Sequence, residues 1–184
     1  TVTVKDNICN SCNGGGVYVT GTAAKIITLS SLFQNNKGNN NGYGGAVHML
    51  AGTIGEFTST TFNLNTAALG GAAIYTLTAC TLTLTLCTVS SNTVTGGSSG
   101  AIWVGSSSGA SITTVTMTDT VVRDNTASTF AGGMQADGYA SLTFVRSTFY
   151  KNMANGGHGG GLYLGNYVTM TTSDSLWDEN TASS

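Results

Sequence analysis

Apolar and polar positions alternate in short runs, and the runs recur along the whole chain. In Ala79-Cys80-Thr81-Leu82-Thr83-Leu84-Thr85-Leu86 and in Ser111-Ile112-Thr113-Thr114-Val115-Thr116-Met117-Thr118 the large apolar residues fall two apart with threonine between them. A period of two carried by β-branched residues predicts a strand with one buried face. No stretch has helical periodicity. Aligned copies place Ile26, Leu82, Val115, Leu142 and Met170 in one inward column. Successive strand side chains point to opposite faces, so Thr81, Thr114, Ser141 and Thr169 form the adjacent outward column, with Thr83, Thr116, Thr143 and Thr171 beside them.

The alignment rests on an anchor in which an apolar or aromatic residue precedes an Asn by three positions. Its copies end at Asn7, Asn36, Asn65, Asn92, Asn125, Asn152 and Asn180, and the steps between them, by subtraction, are 29, 29, 27, 33, 27 and 28 residues. Each Asn except Asn180 is followed by a glycine anchor that opens a short apolar segment: Gly16, Gly45, Gly71, Gly100, Gly133 and Gly161. A period in this range means stacked units, each unable to bury its apolar face alone. The expected fold is all-β, a single-stranded parallel β-helix (β-solenoid) of about 28 residues per turn and six to seven turns, with residues 1–184 as one domain. Asn at a repeated corner is expected to tolerate positive φ and to pass amide hydrogen bonds up its column, and paired glycine to permit a tight bend.

The anchors Phe33-Gln34-Asn35-Asn36 and Phe62-Asn63-Leu64-Asn65, with Gly-Gly-Ala-Ile-like segments such as Gly44-Gly45-Ala46-Val47, resemble the repeats of the chlamydial polymorphic outer-membrane proteins and related surface β-helix proteins. The resemblance covers essentially the whole chain. It implies a right-handed helix used for adhesion or surface display. The chain departs from the pattern at Ser99-Gly100 and in the third copy, Gly71-Ala72-Ala73-Ile74, and it contains no autotransporter barrel.

Composition narrows the function. Only 8% of the residues are charged and the formal net charge is −2, so neither nucleic acid nor an anionic membrane finds an electrostatic partner. The longest apolar runs fall short of the roughly 20 residues of a membrane-spanning helix, so no membrane insertion by this segment is expected. Four cysteines suit an oxidising compartment. Cys9 with Cys12, and Cys80 with Cys87, are the candidate disulfides, with free thiols as the alternative. A shared tetrahedral metal site is disfavoured because about three turns separate the two pairs, and no cofactor is expected.

Many β-helices are polysaccharide lyases or hydrolases, whose chemistry usually needs two carboxylates at a defined separation. Asp6, Asp124 and Glu179 share the position before an anchor Asn, but four turns at about 4.8 Å put Asp6 and Asp124 close to 19 Å apart. Gly157-His158-Gly159 is similar to an element of polygalacturonases but lacks its companion motifs, and both His158 and His48 read as simple surface or packing residues. The chain is therefore expected to be no enzyme. Outward threonine columns also match ice-binding solenoids, yet Lys25, Ile27, Ile54 and Glu56 interrupt them. Aromatics such as Tyr18, Tyr75, Trp103, Tyr139, Tyr163 and Tyr167 are candidate contact points for a glycan or protein. Neither end carries an atypical polar cap, so the expectation is a segment of a longer rod, or a subunit stacking head to tail on itself. The location is expected to be extracellular or at the cell surface, with self, other surface proteins or glycans as partners.

Overall fold

A computed structural model describes residues 1–97 and 99–183, and every helix or strand among them is a strand. The strands form four parallel sheets, and one turn contributes one strand to each. The third turn is representative: Thr61–Asn63 in the anchor sheet, Thr66–Ala67 in the corner sheet, Ile74–Leu77 in the glycine sheet and Thr81–Thr85 in the threonine sheet. The anchor and corner sheets each have seven strands and the other two have six. About six turns of about 28 residues result, a parallel β-solenoid without a helix.

Register follows the hydrophobic columns. In the anchor sheet Val4, Phe33, Phe62, Val89, Val122, Phe149 and Trp177 pair in sequence from turn to turn. Phe33 stacks on Phe62 with ring centroids 4.9 Å apart, and Phe149 stacks on Trp177 at 5.5 Å. Phe57 enters from the threonine sheet and meets Phe62 edge-on at 5.1 Å. The inward column of that sheet runs Ile26, Gly55, Leu82, Val115, Leu142, Met170. Gly55 breaks the apolar pattern because its place is already filled. A Cβ there would lie 2.7 Å from Sδ of Met49 and 2.9 Å from the Phe57 ring. Leu82 and Leu84 are fully buried, and each such side chain contributes about 1.5–3 kcal/mol through water exclusion.

The corners are made by residues in the left-handed region, and here the structure corrects the expectation for Asn. At every turn the positive φ belongs to the residue before the anchor Asn: Asp6 (58°), Asn35 (52°), Leu64 (57°), Ser91 (55°), Asp124 (54°), Lys151 (51°) and Glu179 (48°). The left-handed residue reverses the chain and the Asn that follows turns its side chain into the interior. A second corner, between the threonine and anchor sheets, repeats the device at Ser30, Ser59, Leu86, Asp119, Arg146 and Asp174.

Candidate functional site

Asn7, Asn36, Asn65, Asn92, Asn125, Asn152 and Asn180 stack in one column, and the middle five are fully buried. From Asn7 to Asn152, each Nδ2 donates to Oδ1 of the Asn in the next turn at 2.8–3.0 Å. From Asn36 onward, each also donates to the carbonyl of the apolar anchor residue one turn back, as Asn92 does to Phe62 at 3.0 Å. Buried carboxamides that are used this fully strengthen the stack, because each donor or acceptor left unpaired would carry a desolvation cost.

A second column, five residues before each Asn, went unrecognised in the sequence. Ser31, Thr60, Cys87, Thr120, Ser147 and Ser175 occupy it. Ser31, Thr60, Thr120, Ser147 and Ser175 each donate a hydroxyl to the carbonyl two residues back. Several also accept a backbone N–H from the preceding turn, as Ser147 does from Thr120 and Ser175 from Ser147. Cys87 is the thiol member of this series and donates Sγ–H to the Phe57 carbonyl at 3.2 Å.

That placement overturns the Cys80–Cys87 disulfide. Both thiols are free and buried. They sit at opposite ends of Thr81–Thr85, about 20 Å apart at 3.3 Å per residue, whereas a disulfide needs Cα atoms within about 7 Å. Cys80 lies at the other corner, 3.4 Å from the Thr53 hydroxyl. Burial raises the Cys87 thiol above its usual pKa. Cys9 and Cys12 do form a disulfide, which closes the first loop.

The six named glycines do not share one column, a second correction. Pairing of Val17, Val47, Ile74, Ile102, Met134 and Leu162 sets the register. Gly16, Gly133 and Gly161 therefore align with Ala46, Ala73 and Ala101, and their backbone lies against the asparagine column: a Cβ on Gly133 would be 3.2 Å from Cγ of Asn152. Gly45 and Gly100 fall one position earlier. Gly71 falls two positions earlier, with Gly14, Gly44, Ala131 and Gly159, and it is this last group that carries positive φ.

The charged groups are spread along the surface. Arg146 donates Nε–H and Nη2–H to the two carboxylate oxygens of Asp119 at 2.7 and 2.8 Å, which holds Asp119 below the usual carboxylate range. Arg123 pairs with Asp124 at 2.6 Å and Lys151 with Glu179 at 3.4 Å. Asp137 accepts backbone N–H bonds from Gly138 and Asn166 through Oδ1. His158 is exposed beside the Phe130 ring.

Two aromatic groups stand out on the lateral surface. On the outward side of the glycine sheet, Tyr18, His48, Tyr75 and Trp103 pair turn by turn. Their ring centroids are 5.1, 4.8 and 4.4 Å apart, with Tyr43 packed on Tyr75 at 4.6 Å. Sandwiched this way, His48 is only 3% exposed. Its Nδ1 has no hydrogen-bond partner among the described residues, and burial lowers its pKa to about 4. The same burial raises the Tyr75 hydroxyl.

The other group forms a cleft of about 180 Å³ lined by Ile112, Tyr139, Ala140, Ser141, Tyr167 and Thr169. Ile112, Tyr139 and Tyr167 each precede a strand residue in the column Thr113, Ala140, Val168, so they stack in three successive turns. Tyr139 and Tyr167 lie nearly parallel at 4.6 Å. The sequence marked both tyrosines as contact points, but it did not bring Ile112, Ser141 and Thr169 beside them.

Over residues 1–183 the chain matches the family model described as the right handed beta helix region, while no curated protein and no solved structure matches it. The chain belongs to the right-handed β-helix family.

Proposed function

We propose that this chain is a structural or adhesive part of an extracellular filament or cell surface, binding by shape and repeated contact without catalysis. On this reading it is one of the surface β-helix proteins that its anchor motifs resemble, as in the chlamydial polymorphic outer-membrane proteins.

One observation carries the reading: the buried asparagines of the interior join turn to turn, while the lateral surface is given to columns of hydroxyls and aromatic rings. The asparagine column links its seven members by six side-chain bonds. Asp119, Asp124 and Glu179 are engaged by Arg146, Arg123 and Lys151. An interior of this kind resists extension along the stack, and a periodic lateral surface suits binding spread over many weak contacts.

Negative-stain electron microscopy and fibre diffraction of the natural material test it. Long rods with an axial reflection at about 4.7–4.9 Å are expected, together with retention of the purified chain on the surface of the cells or matrix it comes from. Short monodisperse particles with no surface retention would overturn the reading.

A further inference from the structure

We infer that Tyr43 and Tyr75 form a site of oxidative modification, at which a one-electron oxidant joins the two rings by a carbon–carbon bond into a biphenol rung between the second and third turns. The inference goes beyond the structural reading and stands on the geometry of the pair.

Tyr43 and Tyr75 belong to successive turns, 32 residues apart by subtraction. Their ring centroids are 4.6 Å apart, with the planes tilted by 47°. The contact is held from several sides. Tyr43 donates its backbone N–H to Oδ1 of Asn13 at 3.1 Å, and its carbonyl accepts the N–H of Gly14 at 2.9 Å. It pairs with Gly70, which has no side chain to keep the rings apart. Tyr75 is 7% exposed and is clamped between His48 at 4.8 Å and Trp103 at 4.4 Å. The first and fourth turns flank the pair, so further turns stacked at either end leave it as it is.

The surroundings supply a path for oxidation. Tyr43 and Trp103 are half-buried and meet an oxidant in solution. Tyr75 is covered, but its ring lies within 8° of parallel to that of Trp103, so a hole made on the indole passes to the phenol by direct contact. Burial raises the Tyr75 hydroxyl, so the ring carries its proton at neutral pH and releases it on oxidation. Each tyrosine gives one electron to the oxidant and its phenolic proton to water. The two phenoxyl radicals then join through a ring carbon beside each oxygen. The hydrogen on each of those carbons leaves as a proton while the oxygen regains one, which restores both phenols. In sum two hydrogens are lost, and one hydrogen peroxide, acting through a haem peroxidase, is reduced to two waters. Tyr139 and Tyr167 also lie 4.6 Å apart, but among the described residues no tryptophan stacks on them, and Tyr167 is 71% exposed, open to reductants in solution.

Oxidation of the folded whole chain tests the site, with hydrogen peroxide and a haem peroxidase as one oxidant and a photoactivated ruthenium complex with persulfate as a smaller one. Expected with at least one of them are biphenol fluorescence, a monomer lighter by two hydrogens and, after chymotryptic digestion, a linked peptide that holds Tyr43 and Tyr75. The linked chain should unfold at a higher urea midpoint, because the bond constrains the unfolded state. Tyr43→Phe and Tyr75→Phe keep the packed ring without the phenol, and each should lose the product. Trp103→Phe should slow its formation. Absence of the link under conditions that couple N-acetyltyrosine overturns the assignment, as does a link found only at other tyrosines or only between chains. Equal yield from Tyr43→Phe, or from wild type unfolded in urea, also overturns it.

Discussion

Asn65 donates both its backbone N–H and its Nδ2–H to a single atom, Oδ1 of Asn92 in the next turn, each at 3.0 Å. One carboxamide oxygen thus closes a corner and joins two turns. Asn92 in turn donates to Asn125 Oδ1 and to the Phe62 carbonyl, both at 3.0 Å. Asn92→Ala would leave two buried N–H groups of Asn65 without an acceptor and would take one donor each from the Phe62 carbonyl and from Asn125 Oδ1, which keeps the backbone N–H of residue 92. A loss of about 3–5 kcal/mol is expected, read from urea denaturation.

Leu64 offers the opposite outcome. It holds φ of 57° at the corner where other turns use Asp6, Asn35 and Asp124, and it is 50% exposed. Leu64→Asn relieves a left-handed conformation that costs a branched residue about 1–2 kcal/mol while giving up little burial. Stability should rise by about 0.5–1 kcal/mol, and Leu64→Gly should gain less because glycine loses more freedom on folding. A lower denaturation midpoint for Leu64→Asn would contradict this account of the corner.

His48 makes stability depend on pH in a defined window. Burial between Tyr18 and Tyr75 lowers its pKa from 6.5 to about 4, so the unfolded chain binds this proton more readily than the folded one. Its contribution is fully present above pH 6.5 and is lost as pH falls toward 4. At about 1.4 kcal/mol per pKa unit the loss amounts to about 3 kcal/mol. Thermal melts at stepped pH should show that decline, and His48→Phe, which keeps a stacked ring without the proton site, should flatten it.

The cysteines give a count that separates the two pairings. With Cys9–Cys12 closed and Cys80 and Cys87 buried as thiols, a thiol reagent should find no reactive group in the native chain and two after unfolding without reductant. Cys87→Ser should be tolerated, since Ser31, Ser147 and Ser175 fill the same column. Reduction of Cys9–Cys12 should cost only about 2 kcal/mol, because so short a loop removes little freedom from the unfolded chain.

The sequence by itself determined the strand class, the turn length, the inward and outward columns of the threonine sheet and the asparagine column. All of these depend on side-chain periodicity that repeats with each turn, and Gly55 in place of a large residue was absorbed by Met49 and Phe57. The second corner column was also within reach, five residues before each Asn. Its mixture of Ser, Thr and Cys hid it, because the shared property is a short side chain donating to a carbonyl and not a residue type.

Only the tertiary structure decided which glycine turns the chain and which residue at the asparagine corner takes positive φ. Backbone hydrogen bonds set the register to the single residue, whereas doubled glycines align equally well one place earlier or later. It also decided the cleft. The 33-residue step between Asn92 and Asn125 makes room for the loop that lays Gly109 on Tyr139. The stacking of three turns then brings together Ile112, Tyr139 and Tyr167, residues 27 and 28 positions apart by subtraction. Separations of that length become contacts only when each turn hydrogen-bonds to the next.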